Sequence, residues 1–393
     1  MKYDFNTAPD RQHTNSYKWD MPGVEGIIPM WVADMDFKTA PCIIEALRKR
    51  VDHGVFGYTF VPDEYFSATV NWFDRRHGLK LKSEWILYTS GVIPALSAVI
   101  KALTHPGQKV IVQTPVYNHF FSSILNNGCE ILENPLRRVG NTYEMDFDDL
   151  ERKAADSEAV LLLLCNPHNP AGRVWTKDEL SRLGEICARN GVTVVSDEIH
   201  NELVFPPYKY TPFAAVSDKF RAMSVTCCSP TKAFNIAGLQ IANIFCENAE
   251  MRAKIDKALN VNEVCDVNPF GVIALIEAYT RGEDWLDELR EYLKGNYDLA
   301  RAMFEKELPE FPMMNLEGTY LAWVDCSILN MSSETIAAEI LARSKVMVND
   351  GKMYRETGGN FIRINLAEPR KLVEEGVYRI IKILKELLNE SKK

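Results

Sequence analysis

The run Ala159-Val160-Leu161-Leu162-Leu163-Leu164 constrains this chain more than any other stretch. Six consecutive apolar residues leave no polar face, so a strand built from them must be covered on both sides. From residue 85 onward, short apolar runs of this kind alternate with helical patterns. The pattern predicts strands at 85–88, 109–113, 159–165, 192–196, 221–226 and 241–246, and helices near 93–104, 117–127 and 176–190. Such alternation predicts a buried, mainly parallel sheet flanked by helices, an α/β architecture of the seven-stranded type.

The rest of the chain reads differently. Residues 1–40 are broken by Pro22, Gly23, Gly26 and Pro29, and form an irregular arm. A helix begins at Pro41 and stops at Gly54, and a second runs from Asp63 to His77 with Gly78 as its stop. The turn between them, His53-Gly54-Val55-Phe56-Gly57-Tyr58, presents an aromatic hydroxyl. Beyond residue 247 helices dominate, with a long amphipathic pattern near 283–307 and a final helix at 370–389. Short strands are expected near 319–325, 345–349 and 361–365. With 393 residues, two domains are expected: a large one over 41–282, and a smaller α+β one in which the 1–40 arm joins 283–393.

Composition excludes several functions. A net charge of -9 argues against a nucleic-acid binder, because phosphate calls for a basic face. No apolar run reaches the roughly eighteen residues needed to span a membrane, and Met1-Lys2-Tyr3-Asp4-Phe5-Asn6 is no apolar signal region. Nine cysteines without a Cys-x-x-Cys suit reduced thiols in a cytoplasm, and no metal site is expected.

In doubly wound sheets, ligands bind beyond the carboxyl ends of the strands. After 85–88 comes Thr89-Ser90-Gly91-Val92-Ile93, a glycine turn opening a helix, whose free N–H groups suit an anion. After 109–113 comes Tyr117. After 159–165 comes Asn166-Pro167-His168-Asn169-Pro170-Ala171-Gly172. After 192–196 come Asp197 and His200, and after 221–226 come Ser229 and Lys232. Each alone reads as turn punctuation, a cap or packing. Together, five strand ends supply an anion hole, a flat ring, an amide, a carboxylate and an amine. That set fits pyridoxal 5′-phosphate, whose aldehyde takes a lysine amine as a Schiff base and whose ring accepts electrons when a carboxylate keeps its nitrogen protonated.

At this point the sequence resembles the class I/II aminotransferase family of fold type I pyridoxal-phosphate enzymes. The resemblance rests on Asn-Pro-His-Asn-Pro-Ala-Gly at 166–172, Ser-Asp-Glu-Ile-His at 196–200 and Ser-Pro-Thr-Lys at 229–232. Within the family it is similar to the cystathionine β-lyase, or C–S lyase, branch, through Asn15-Ser16-Tyr17-Lys18-Trp19-Asp20, Trp31-Val32-Ala33-Asp34-Met35-Asp36-Phe37 and Lys232-Ala233-Phe234-Asn235-Ile236-Ala237-Gly238. The resemblance implies that Lys232 binds the cofactor covalently and later shuttles protons. It implies that Asp197 contacts the ring nitrogen, that Asn169 contacts the phenolic oxygen with His200 nearby, and that Tyr117 stacks on the ring. Phosphate would fall to Ser229 and the backbone of Val92 and Ile93, with Tyr58 reaching in from the other subunit of a homodimer. Arg363 would pair with the α-carboxylate of an amino-acid substrate, beside Asn169 and Tyr58.

Three positions depart from the family pattern. Gln240 stands where many aminotransferases carry an arginine, Arg355 where related lyases often have glycine, and Asp350 where proline is frequent. The expected reaction is β-elimination from L-cystathionine or another S-substituted cysteine. An aminotransferase on the same scaffold is the alternative, and a protein-mediated regulatory role or a Ser229–Lys232 hydrolase are further readings. The hydrolase reading leaves Asp197, Asn169 and Tyr117 unexplained.

Overall fold

In the Ala159–Cys165 strand, Leu161, Leu163 and Cys165 face one layer of helices, and Leu162 and Leu164 face the other. Both rows are buried, which is why the strand reads as an uninterrupted apolar run. A computed structural model describes residues 1–261 and 267–392; Cys265, one of the nine cysteines, lies outside the described residues.

The central sheet has seven strands. Across it the order is Ile86–Thr89, Ala242–Phe245, Ser224–Cys228, Thr193–Asp197, Ala159–Cys165, Lys109–Val112 and Glu130–Glu133. Ala242–Phe245 runs antiparallel to both neighbours, and every other pairing is parallel. Helix Val92–Leu103 covers one face through Ala95, Leu96, Val99 and Ile100. Helix Lys177–Asn190 covers the other through Leu180, Leu183 and Ile186. Burying one such leucine contributes about 2–3 kcal/mol.

Two expectations need correction. Glu130–Glu133 lies at the sheet edge and is partly exposed, so its mixed polar pattern gave no strand signal. The strand expected at 221–226 starts only at Ser224, because Ser217 caps a short helix, Asp218–Ala222, with its side chain accepting from the Phe220 N–H.

The C-terminal part holds the 25-residue helix Glu283–Glu307 and an antiparallel sheet in which Phe361–Asn365 lies between Leu321–Asp325 and Asn349–Asp350. The N-terminal arm pairs with this part, Ile28–Pro29 running parallel to Val346–Met347. Among the described residues no helix is long and apolar enough to cross a membrane.

Candidate active site at the ends of the parallel strands

Sheet register places the ends of three strands side by side: Cys165 is opposite Asp197, and Asp197 opposite Cys227. Beyond these ends lies a cavity of about 210 Å³. Gly91, Val92 and Ile93, at the N-terminus of their helix, line it together with Tyr117, Asn169, Asp197, His200 and Lys232. Side chains from five strand ends therefore meet in one space.

The cavity's electrostatics are set mainly by burial. Asp197 is buried, and its Oδ1 accepts the Ile199 N–H at 3.1 Å. Loss of water pushes its carboxyl up to about 7, with Glu198 adding to the rise, while the Ile199 N–H and Lys232 pull the other way. Lys232 is partly buried, and its Nζ donates to the Ala33 carbonyl at 2.5 Å. Desolvation lowers its amine to about 8, helped by Arg363 and opposed by Asp34 and Asp197. An amine lowered this far is a competent nucleophile and base near neutrality. Burial also lowers His200 to about 3 and raises Tyr117 to about 12, so both are neutral. His200 Nδ1 has no hydrogen-bond partner among the described residues.

Arg363 comes from the middle strand of the C-terminal sheet and is only 3% exposed. Its Nη1 donates to Asn169 Oδ1 at 3.1 Å and its Nη2 to the Trp31 carbonyl at 2.9 Å. Its Nε has no partner, and no carboxylate among the described residues forms an ion pair with it. A desolvated guanidinium in this state suits an incoming carboxylate.

Between Lys232 and Arg363 runs a strap, residues 31–37. Asn235, in left-handed backbone at φ 53°, accepts the Met35 N–H and donates to the Met35 and Phe37 carbonyls. Asn365 donates to the Val32 and Asp34 carbonyls at 2.6 and 2.7 Å. The Ala33 carbonyl receives the Tyr320 hydroxyl as well as Lys232.

Other expected residues lie elsewhere. The Ser229 hydroxyl donates to the Ile241 carbonyl at 2.5 Å and sits 2.8 Å from the Thr231 hydroxyl; Thr231, rather than Ser229, lines the cavity. Tyr58 is 95% exposed and faces outward. Gln240 borders a separate cavity beside Tyr88 and Asn268. Arg355 sits at φ 84°, ψ 173°, with its guanidinium 4.5 Å from the Phe121 ring centre and 3.5 Å from Glu133. Asp350 accepts the Met353 N–H. Sequence reasoning missed Thr231, Ala33, Tyr320 and Asn365. Thr231 and Ala33 stood inside recognised motifs and Asn365 at the end of an expected strand, but the Ala33 carbonyl carries no residue-type signal.

The model of the aminotransferase class I and II family matches residues 25–380. The chain belongs to this family. A cystathionine β-lyase of Bacillus subtilis, PatB, is 42% identical over 96% of this chain and 98% of its own length. The crystal structure of cystalysin from Treponema denticola, which contains pyridoxal 5′-phosphate, superposes with a TM-score of 0.95 at 35% identity, covering 98% of this chain and all of that one. A PLP-bound C–S lyase from Staphylococcus hominis gives 0.92 at 33% identity, covering 98% and 99%. Membership thus extends over nearly the whole chain and places it among class I and II members that include C–S lyases.

Proposed function

We propose that this protein is a pyridoxal-phosphate-dependent C–S β-lyase that eliminates a thiol from L-cystathionine or a related S-substituted cysteine. The observation that carries the reading is the meeting of the Lys232 amine and the buried Asp197 carboxyl in one cavity, with the carboxylate-free Arg363 held against Asn169 of its lining. The resemblance to proteins named as lyases supports elimination over transamination.

The residues present fit the cofactor. Asp197 has one backbone N–H as partner and a carboxyl destabilised by burial, so a protonated ring nitrogen complements it. The amides of Val92 and Ile93 open a helix and suit the phosphate, with Thr231 beside them. Asn169 gives its oxygen to Arg363, which leaves its NH2 free to donate and would suit the phenolic oxygen. Tyr117, in the cavity wall, would flank the ring. When bound, the cofactor supplies an aldehyde that captures amines and a ring that accepts electrons from Cα.

This chain's residues do the rest. Arg363 holds the substrate carboxylate and orients Cα toward Lys232. Lys232 takes the Cα proton and gives a proton to the departing sulfur. Asp197 would keep the ring nitrogen of the bound cofactor protonated. The C–S bond breaks with its electron pair on sulfur, and aminoacrylate takes up water to give pyruvate and ammonia. Tyr58, with Val55, Phe56 and Phe60, forms an exposed apolar segment that suits a homodimer in which it reaches the partner's site. We assign the enzyme to the cytoplasm and treat 41–282 as the cofactor-binding domain, with 1–40 and 283–393 as its companion.

Incubating the cofactor-loaded protein with L-cystathionine and no keto acid should release pyruvate and one thiol per turnover. Product that forms only when a keto acid is added would make it an aminotransferase.

A further inference from the structure

Lys18 is a lysine with 0% exposure, and no step of the reaction uses it. Its Nζ lies 2.9 Å from Asp36, 3.0 Å from Glu368 and 3.9 Å from Asp34. Arg11 adds a second cation, 2.6 Å from Asp36 and 2.7 Å from Asp34, and donates to the Met35 carbonyl at 3.2 Å. Trp19 Nε1 donates to Asp36 at 2.9 Å. Two of these carboxylates, Asp34 and Asp36, belong to the strap whose Ala33 and Trp31 carbonyls receive Lys232 and Arg363. The third, Glu368, follows the Phe361–Asn365 strand that carries Arg363.

A buried ion cluster of this kind contributes little net stability, because desolvating the charges offsets their attraction. What it does well is fix geometry, since each charge is costly unless its partners stay in place. Here that geometry is the depth of the strap. Burial pushes the Glu368 carboxyl up, with Asp36 and Asp34 adding to the rise and Lys18 opposing it. Lys18 is held above the ordinary lysine value; burial opposes its charge, and Glu368, Asp36 and Asp34 outweigh it.

We propose that Lys18, with Arg11, is a positioning residue for the reaction: it locks the 31–37 strap through Asp34 and Asp36, and thereby sets where the Lys232 amine and the Arg363 guanidinium lie. This rests on the lyase reading for its kinetic consequence, though not for its structural one. Loosening the strap releases two contacts at once, one to the proton-transferring amine and one to the carboxylate clamp. Both kcat and KM should therefore move, and so should the pH midpoint of the visible band of the loaded protein.

The test compares Lys18→Met and Arg11→Gln with the unaltered holoenzyme by hydrogen–deuterium exchange, band titration and steady-state kinetics on L-cystathionine. Exchange in 31–37 should speed up about tenfold or more, while exchange in Ala159–Cys165 stays unchanged. In both variants KM should rise, kcat fall and the band midpoint shift. Unchanged exchange in 31–37 overturns the proposal, and so does equal acceleration in both segments, which marks a general stabiliser. Should Lys18→Met fail to fold, the variant of the partly buried Arg11, Arg11→Gln, decides by the same readouts. If the unaltered holoenzyme releases no pyruvate, the lyase reading fails, and the exchange comparison still decides the role of the cluster.

Discussion

The carbonyl oxygen of Ala33 lies 2.5 Å from Lys232 Nζ, across 199 residues of sequence. This contact holds the amine at the cavity while burial lowers its basicity, and a testable expectation follows from the pair.

Lys232 is lowered to about 8, so it loses its proton as pH rises through that value. Capture of pyridoxal phosphate by the unloaded protein should therefore speed up with pH and level off above about 8, read as growth of the visible band. Lys232→Ala should abolish the band and reduce pyruvate release at least about 10⁴-fold, since it removes nucleophile and base together.

Asp197 is raised to about 7 from an ordinary 3.8. Folding of the unloaded protein thus takes up a proton between about pH 4 and 7, and the stability Asp197 contributes is lost as pH rises through that window. Asp197→Asn has nearly the same shape and no charge to bury. At pH 8 the unloaded variant should be more stable than the parent, by an amount on the order of 4 kcal/mol at most. The loaded variant should lose activity by about 100-fold or more. Urea melts of both unloaded proteins at pH 5 and pH 8 would show it; a variant less stable at pH 8 contradicts the assignment.

Arg363 has backbone and amide partners and no carboxylate. Arg363→Met should leave the melting temperature of the unloaded protein near that of the parent. It should raise KM for L-cystathionine by about 10–100-fold, the worth of a charge-assisted pair. A KM that does not move would remove Arg363 from carboxylate binding.

Tyr58 projects outward on an apolar segment, and Lys232 faces inward. In a dimer with shared sites, mixing Tyr58→Ala and Lys232→Ala subunits creates one intact site per mixed pair. Activity should then recover to about a quarter of native at equal mixing, because half the dimers are mixed and each has one good site. No recovery after verified subunit exchange would place Tyr58 in its own chain's chemistry or in none.

Much of this arrangement was legible in the chain because parallel strands buried on both faces leave a continuous apolar signature, as at Ala159–Cys165. The turn following such a strand is then where ligand chemistry appears, which brought Asp197, Asn169 and Lys232 forward together. Edge strand Glu130–Glu133 escaped because none of its side chains is fully buried. The orientation of Ser229 was not legible, since a hydroxyl satisfies a backbone carbonyl as readily as a ligand, and here Ile241 takes it. The Ala33 carbonyl was invisible for a simpler reason: every residue has one. Lys18 stood within a recognised motif, but only the fold shows three carboxylates converging on it.

The strap is seated by a strand that lies 333 residues further along the chain, counted from Val32 to Asn365. Ile28–Pro29 lies against Val346–Met347, and Asn365 grips the Val32 and Asp34 carbonyls. A ribosome-bound chain of 300 residues would own Asp197 and Lys232 but neither the clamp nor the strand that seats the strap. Capture of the cofactor in its final setting therefore waits for the Phe361–Asn365 strand, and the appearance of the yellow band would time the seating of the strap rather than the start of folding.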